Sequence, residues 1–167
     1  MMFKKGQAAM EFLMTYGWAI LVVLIAIGVL IFLVGNPSNL VGDSCRIGTP
    51  FNCGTSLTAD AGVDGTVTFE LTNGLSNSVT IVGANDIALT GSAYSAACID
   101  STIDGVATTD SVINAGQTVT IVITCTGQAF TAGDKVKSPF QITYTDNSNA
   151  AILTGLIKTG DITVSVK

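Results

Sequence analysis

From Phe12 to Val34 the chain runs through twenty-three residues without one charged side chain. At a helical rise of about 1.5 Å per residue, this run is roughly 35 Å long, enough to cross a bilayer core of about 30 Å. A helix apolar on every face has to be surrounded by lipid or by other helices. One acid, Glu11, stands at the mouth of the run, where an ionised carboxylate must be paired or kept near the interface. A secretory signal has a shorter apolar core, about 7–15 residues, and a small-residue cleavage site after it. Here no Ala-x-Ala pattern precedes Asn36-Pro37, so the run reads as retained. Lys4 and Lys5 lie before it and only Arg46 soon after, which predicts a cytoplasmic N-terminus and an external remainder.

Within the run, Gly17 and Gly28 are eleven residues apart, within about 20° of one another around the helix. Glycines on one line let a neighbouring helix approach closely, although glycine is also simply common in membrane helices. Tyr16 and Trp18 lie too deep for one interfacial belt and suit packing, together with Phe12. Gly35-Asn36-Pro37-Ser38 is expected to stop the helix, because Gly and Asn cap C-termini and Pro cannot continue them.

The 167 residues divide naturally into this segment and one domain of about 130 residues. Residues 36–65 are rich in Gly, Ser, Thr and Asn and read as a loop-rich neck. From Thr66 the period changes to two. Val67, Phe69 and Leu71 share one face of a strand over 66–71, and Asn73-Gly74 is a turn signal before Val79–Val82. Ile87–Leu89 is a short candidate. Asn114-Ala115-Gly116 then turns the chain into Thr118–Cys125, with Val119, Ile121, Ile123 and Cys125 on one face. Phe140–Thr145, Ile152–Ile157 and Ile162–Val166 complete the pattern. Six or more short strands separated by turn clusters predict an antiparallel sandwich or barrel over 66–167, an α+β chain overall. The outward positions are mostly threonine, which suits a pleated surface and could also serve subunit contacts or O-linked sugars.

Composition narrows the chemistry. The formal net charge is −5 and no basic patch is visible, so nucleic acid is not an expected partner. There is no histidine, which removes the commonest general base and the commonest transition-metal ligand. No nucleophile–base set, phosphate loop or cofactor motif is present, and no enzyme activity is expected. Asp60, Asp64, Asp100 and Asp104 come in pairs four apart, without EF-hand spacing, and read as solvated loop carboxylates. Cys45, Cys53, Cys98 and Cys125 match no zinc signature. An even count fits disulfides in an oxidising compartment, with buried free thiols as the alternative. Of three connectivities, Cys45–Cys53 with Cys98–Cys125 closes the shortest loops and is preferred.

The residues Lys4-Lys5-Gly6-Gln7-Ala8-Ala9-Met10-Glu11-Phe12 resemble the class III signal of archaeal type IV pilins, in particular the adhesion-pilin group. The resemblance covers residues 4 to about 35. It implies a leader at 1–6 with charges Lys4 and Lys5, and a cut by a prepilin peptidase between Gly6 and Gln7. It further implies a helix over 7–35 that lies first in the membrane and then in a filament core, with Gln7 and Glu11 setting register between subunits. The head is similar in class to those of archaeal pilins and archaellins, either Ig-like or archaellin-like. The function implied is the major subunit of an extracellular adhesive pilus, a homopolymer built by an assembly machinery, with no cofactor and an unspecified adhesion target. Archaellins share the leader and β head but typically lack the glutamate. A motility filament and a non-polymerising single-span surface protein remain the alternatives.

Overall fold

The computed structural model describes residues 4–35, 42–83, 85–94, 98–107, 110–151 and 153–167. The chain divides into two units, Met1–Val41 and Gly42–Lys167. The first holds one helix, α1 (Lys4–Gly35). It begins three residues before Gln7, where the sequence placed its start, so the backbone of Lys4, Lys5 and Gly6 is already helical. The expected stop at Asn36-Pro37-Ser38 lies outside the described residues.

The second unit is a β-sandwich, as the period-two pattern predicts. Its strands are β1 (Ser44–Ile47), β2 (Phe51–Asp60), β3 (Gly65–Asn73), β4 (Val79–Ile81), β5 (Ile87–Leu89) and β6 (Asp100–Ile103), followed by β7 (Val106–Ala107), β8 (Ser111–Ile113), β9 (Thr118–Cys125), β10 (Lys135–Asp146) and β11 (Leu156–Ser165). One sheet has the order β1-β11-β10-β4-β8, with β5 beside β4 along the same edge of β10; the other has the order β2-β3-β9-β6-β7. All strand pairs are antiparallel. In β3 and β9 the residues predicted to face inward, Val67, Phe69, Leu71, Val119, Ile121, Ile123 and Cys125, are buried. Phe140, Ile142 and Tyr144 of β10 meet them from the other sheet. Phe69 and Phe140 lie 5.0 Å apart, and Phe51 and Tyr144 sit edge to face at 4.9 Å, a geometry that ring quadrupoles favour.

Three sequence expectations need correction. Residues 36–65 are not only a loop-rich neck, because β1 and β2 lie in them, each at the edge of a sheet. Their period was hidden by a register shift between Cys53 and Leu57, which breaks the alternation of β2 at Gly54-Thr55-Ser56. Asn73-Gly74 does not close a hairpin, because β3 and β4 belong to different sheets and the chain crosses between them. Finally, 152–157 and 162–166 are not two strands: Leu156–Ser165 is one, running through Gly160, and Ile152 lies outside the described residues.

Gly160 reads as a break in sequence, yet packing explains it. It pairs with Phe140 on one side and Ile47 on the other. A Cβ there would stand 2.6 Å from Cε1 and Cζ of Phe140 and 2.5 Å from the Arg46 carbonyl oxygen. Gly160→Ala is therefore expected to destabilise the sandwich by about 1–3 kcal/mol through overpacking, although alanine is normally the better strand residue. Urea midpoints at a constant m-value would measure this, and an unchanged or higher midpoint would contradict it.

One disulfide ties the two sheets together, and the other ties the segment before β6 to the end of β9. Cys45 of β1 bonds Cys53 of β2, and Cys98 bonds Cys125 at the end of β9. The Cys98 carbonyl accepts the Leu89 N–H of β5 at 3.0 Å, which places it beside the first sheet. This is the connectivity that the shortest loops suggested. The C-terminal strand is held on both sides as well. Beyond β11, Val166 bridges to Ala59 of β2, and the Lys167 N–H donates to the Ala59 carbonyl at 2.8 Å.

Tyr144 is nearly buried at the end of β10. Burial, and secondarily the charge of Asp146, push its phenol above the ordinary value. The folded state thus holds this proton more tightly than the unfolded chain does. The contribution is intact below the unfolded pKa, about 10, and stability should fall as pH rises from there towards the folded value. A denaturant midpoint declining above pH ~10 in the wild type, and less steeply in Tyr144→Phe, would show it. Equal slopes would refute it.

Candidate functional site

The feature of the chain with the clearest functional content is α1. Met14–Phe32 is a nineteen-residue segment long and apolar enough to cross a membrane. Leu21, Val22, Val23 and Leu24 follow one another around the helix and are all exposed, as are Ile27, Leu30, Ile31 and Phe32. Four consecutive positions sweep through about 300° at 100° each, so no face of this segment is the polar one. Trp18 is 69% exposed and Tyr16 53%. Exposed apolar surface of this extent marks a site of association with a membrane or with protein.

The polar groups at the start of the run are handled locally. Thr15 donates its hydroxyl to the Glu11 carbonyl at 2.8 Å, one turn back, which removes the cost of a hydroxyl in an apolar segment. The Glu11 side chain is exposed. Gly6, Gln7 and Glu11 share one continuous helix, and Gln7 lies about 6 Å from Glu11 along its axis. The side chains of Lys4, Lys5, Gln7 and Phe12 are outside the described ones, and only their helical backbone can be placed. A Cβ at Gly17 or Gly28 meets nothing within 4 Å. The two glycines thus leave open surface on one line of the helix.

In the second unit the cysteines are all paired, which fits an oxidising compartment. The four aspartates organise their own neighbourhoods. Asp104 accepts the Thr120 N–H at 2.7 Å, Asp64 the Gly127 N–H at 2.5 Å, and Asp60 the Thr66 hydroxyl at 3.3 Å. Asp100 accepts the Thr126 hydroxyl at 3.5 Å. Among the described residues, no group of three or more Cys, Asp or Glu side chains is placed to hold a metal ion.

Sequence reasoning missed Asn73. It is fully buried and donates through Nδ2 to the carbonyls of Asn77, Ile113 and Asn114 at 2.9, 3.1 and 3.3 Å. Its Oδ1 accepts the Leu75 N–H at 3.0 Å. It thereby joins the crossover after β3 to the turn between β8 and β9. The sole signal in sequence was the Asn-Gly pair, which reads first as a hairpin turn.

No protein-family model matches this chain, and no curated protein matches it either.

Proposed function

We propose that this chain is the structural subunit of an extracellular filament of the archaeal type IV pilus kind, serving adhesion. One observation carries the reading: the ordered signal Lys4-Lys5-Gly6-Gln7, then Glu11-Phe12, lies in the first turns of a helix that continues unbroken into the exposed apolar segment Met14–Phe32. Before assembly that segment lies in the membrane with the disulfide-bonded β-sandwich outside. A prepilin peptidase cuts between Gly6 and Gln7, and the assembly machinery moves the helix from lipid into a bundle of identical helices.

In that bundle the Glu11 carboxylate leaves water, a move tolerable only beside a cation or several donors. The amine freed at Gln7 of a neighbouring subunit supplies such a partner, and the pair fixes axial register as a buried polar group does in a coiled coil. Two measurements test this. Mass spectrometry of protein sheared from cells should give an N-terminus at Gln7; a start at Met1 or beyond Val34 would overturn the reading. Electron microscopy of Glu11→Ala should show filament yield cut at least tenfold, while the protein remains in the membrane fraction. Unchanged yield and helical rise would rule out the register role.

The length of Met14–Phe32 alone also suits a single-span surface protein that never polymerises. Sheared material with no filament built mainly of this chain would favour that reading. Loss of swimming on deletion would favour an archaellin-like motility filament.

A further inference from the structure

At one end of the sandwich the β1–β2 connection, the crossover after β3 and the end of β10 line an open cleft of about 460 Å³, a volume within the range of about 300–1,000 Å³ typical of small-ligand pockets. Thr49, Asn52, Tyr144 and Asp146 bring polar groups to it, and Pro50 and Leu75 supply apolar surface. Gly74 keeps it open. A Cβ there would lie 2.7 Å from the Pro50 carbonyl oxygen, which already accepts the Gly74 N–H at 2.8 Å.

The polar groups are of two kinds. Asp146 is held in place: its Oδ1 accepts the Ser148 N–H at 2.9 Å and the Asn77 amide. These bonds, the Ser148 backbone bond first, keep its carboxyl below the ordinary range, so it is an acceptor throughout neutral pH. The Thr49 and Tyr144 hydroxyls and the Asn52 amide, by contrast, are not engaged with any described residue. A fixed acceptor-only group beside several groups that both donate and accept matches vicinal hydroxyls, which do both. A cation would leave the Asn52 and Tyr144 donors unmatched. An anion would face the Asp146 carboxylate with no cationic side chain among the lining residues.

We propose that this cleft binds a neutral saccharide. The Asp146 carboxylate and the Asn52 amide take adjacent ring hydroxyls, Tyr144 takes a third, and Pro50 and Leu75 contact the apolar face of the ring. The site lies wholly within Gly42–Lys167. Failure to polymerise would leave it untouched, and absence of sugar binding would leave the filament reading untouched.

The test uses the full chain in a detergent without a sugar headgroup. Saturation-transfer NMR would be recorded with methyl α-D-mannopyranoside, methyl β-D-galactopyranoside and methyl β-D-glucopyranoside. N-acetylneuraminic acid and n-butylamine serve as charged counter-probes. We expect saturation of at least one hexoside and none of the acid. Asn52→Ala removes an exposed amide without a hydrogen bond to lose, so it should fold normally and weaken binding about tenfold; Tyr144→Phe should weaken it as well. The proposal fails if no hexoside is saturated, if Asn52→Ala binds as wild type does, or if butylamine displaces the hexoside at lower concentration than the hexoside itself requires.

Discussion

Asn73→Asp is expected to destabilise the β-sandwich by about 3–5 kcal/mol, the cost of leaving a buried charge without its partner. The substitution keeps size and shape but replaces the two donor hydrogens of Nδ2 with a second acceptor. Three carbonyl oxygens, of Asn77, Ile113 and Asn114, converge on that atom, and the residue is 0% exposed. The backbone around it offers no relief. The Asn73 N–H is engaged with the Gln117 carbonyl at 3.0 Å, and its carbonyl with the Gly116 N–H at 2.9 Å. The new carboxyl has to take up a proton to become tolerable, so its folded-state pKa lies above the unfolded value. By linkage the variant recovers stability as pH falls through that raised pKa, and the penalty is full above it. Denaturant midpoints of wild type and N73D between pH 4 and 8 should therefore diverge with rising pH. A gap below about 1 kcal/mol would show that Asn73 does not hold the two loops together, and a large but constant gap would show that the loss is not that of a buried charge.

The second large effect belongs to the Cys98–Cys125 bridge. Its sequence separation is 27 against 8 for Cys45–Cys53. In the chain-entropy treatment, the longer loop is worth about 3.5 kcal/mol and the shorter about 2.5 kcal/mol. Cys98 and Cys125 are also both fully buried in the core, whereas Cys45 and Cys53 only pack against it. Replacing the inner pair with alanine removes two sulfur atoms from close-packed surroundings as well, so the measured loss should exceed the entropic figure. For a unit of this size, a drop in Tm of roughly 10–20 °C is expected. The outer pair treated alike should cost distinctly less. Equal effects of the two double variants would mean that unfolded-state entropy and core packing are not what sets the ranking.

What the sequence disclosed follows from how each residue meets its surroundings. α1 was legible because nothing in a run of apolar residues competes with the helical reading. β3 and β9 were legible because their inner residues alternate without interruption and are apolar at every inward place. β2 escaped because its alternation shifts at Gly54-Thr55-Ser56, and β6 because one of its inner places is Ser101, buried yet polar. β11 reads as two strands in sequence because the reason for Gly160 lies on other strands, in Phe140 and Arg46. Asn73 reads as a turn former in sequence, although its amide serves residues some forty positions away. Local pattern gives what a strand requires of itself; it does not give what a distant strand requires of it. Likewise the one-turn spacing of Gln7 and Glu11 was legible, because both lie on the same helix. The saccharide cleft could not be seen, because residues 49–52, 74–75 and 144–146 come together only in the folded sandwich.

The way the chain enters the sandwich has a mechanical consequence. Asp43, next to Gly42 at the start of the unit, accepts the Ser165 N–H at 2.9 Å and its hydroxyl at 2.8 Å, with the Lys135 ammonium 3.8 Å away. Two residues later, Cys45 is covalently joined to Cys53. A pull on the chain at Gly42 can peel away the Asp43 contacts and Ser44, but it then meets a covalent bond into β2. Tension passes at that point from a four-residue edge strand to a ten-residue strand of the opposite sheet. The seven residues between Cys45 and Cys53 are removed from the extensible length as long as the bridge is intact. A sandwich loaded from this end transmits force like a buckle, giving little slack before both sheets bear it together.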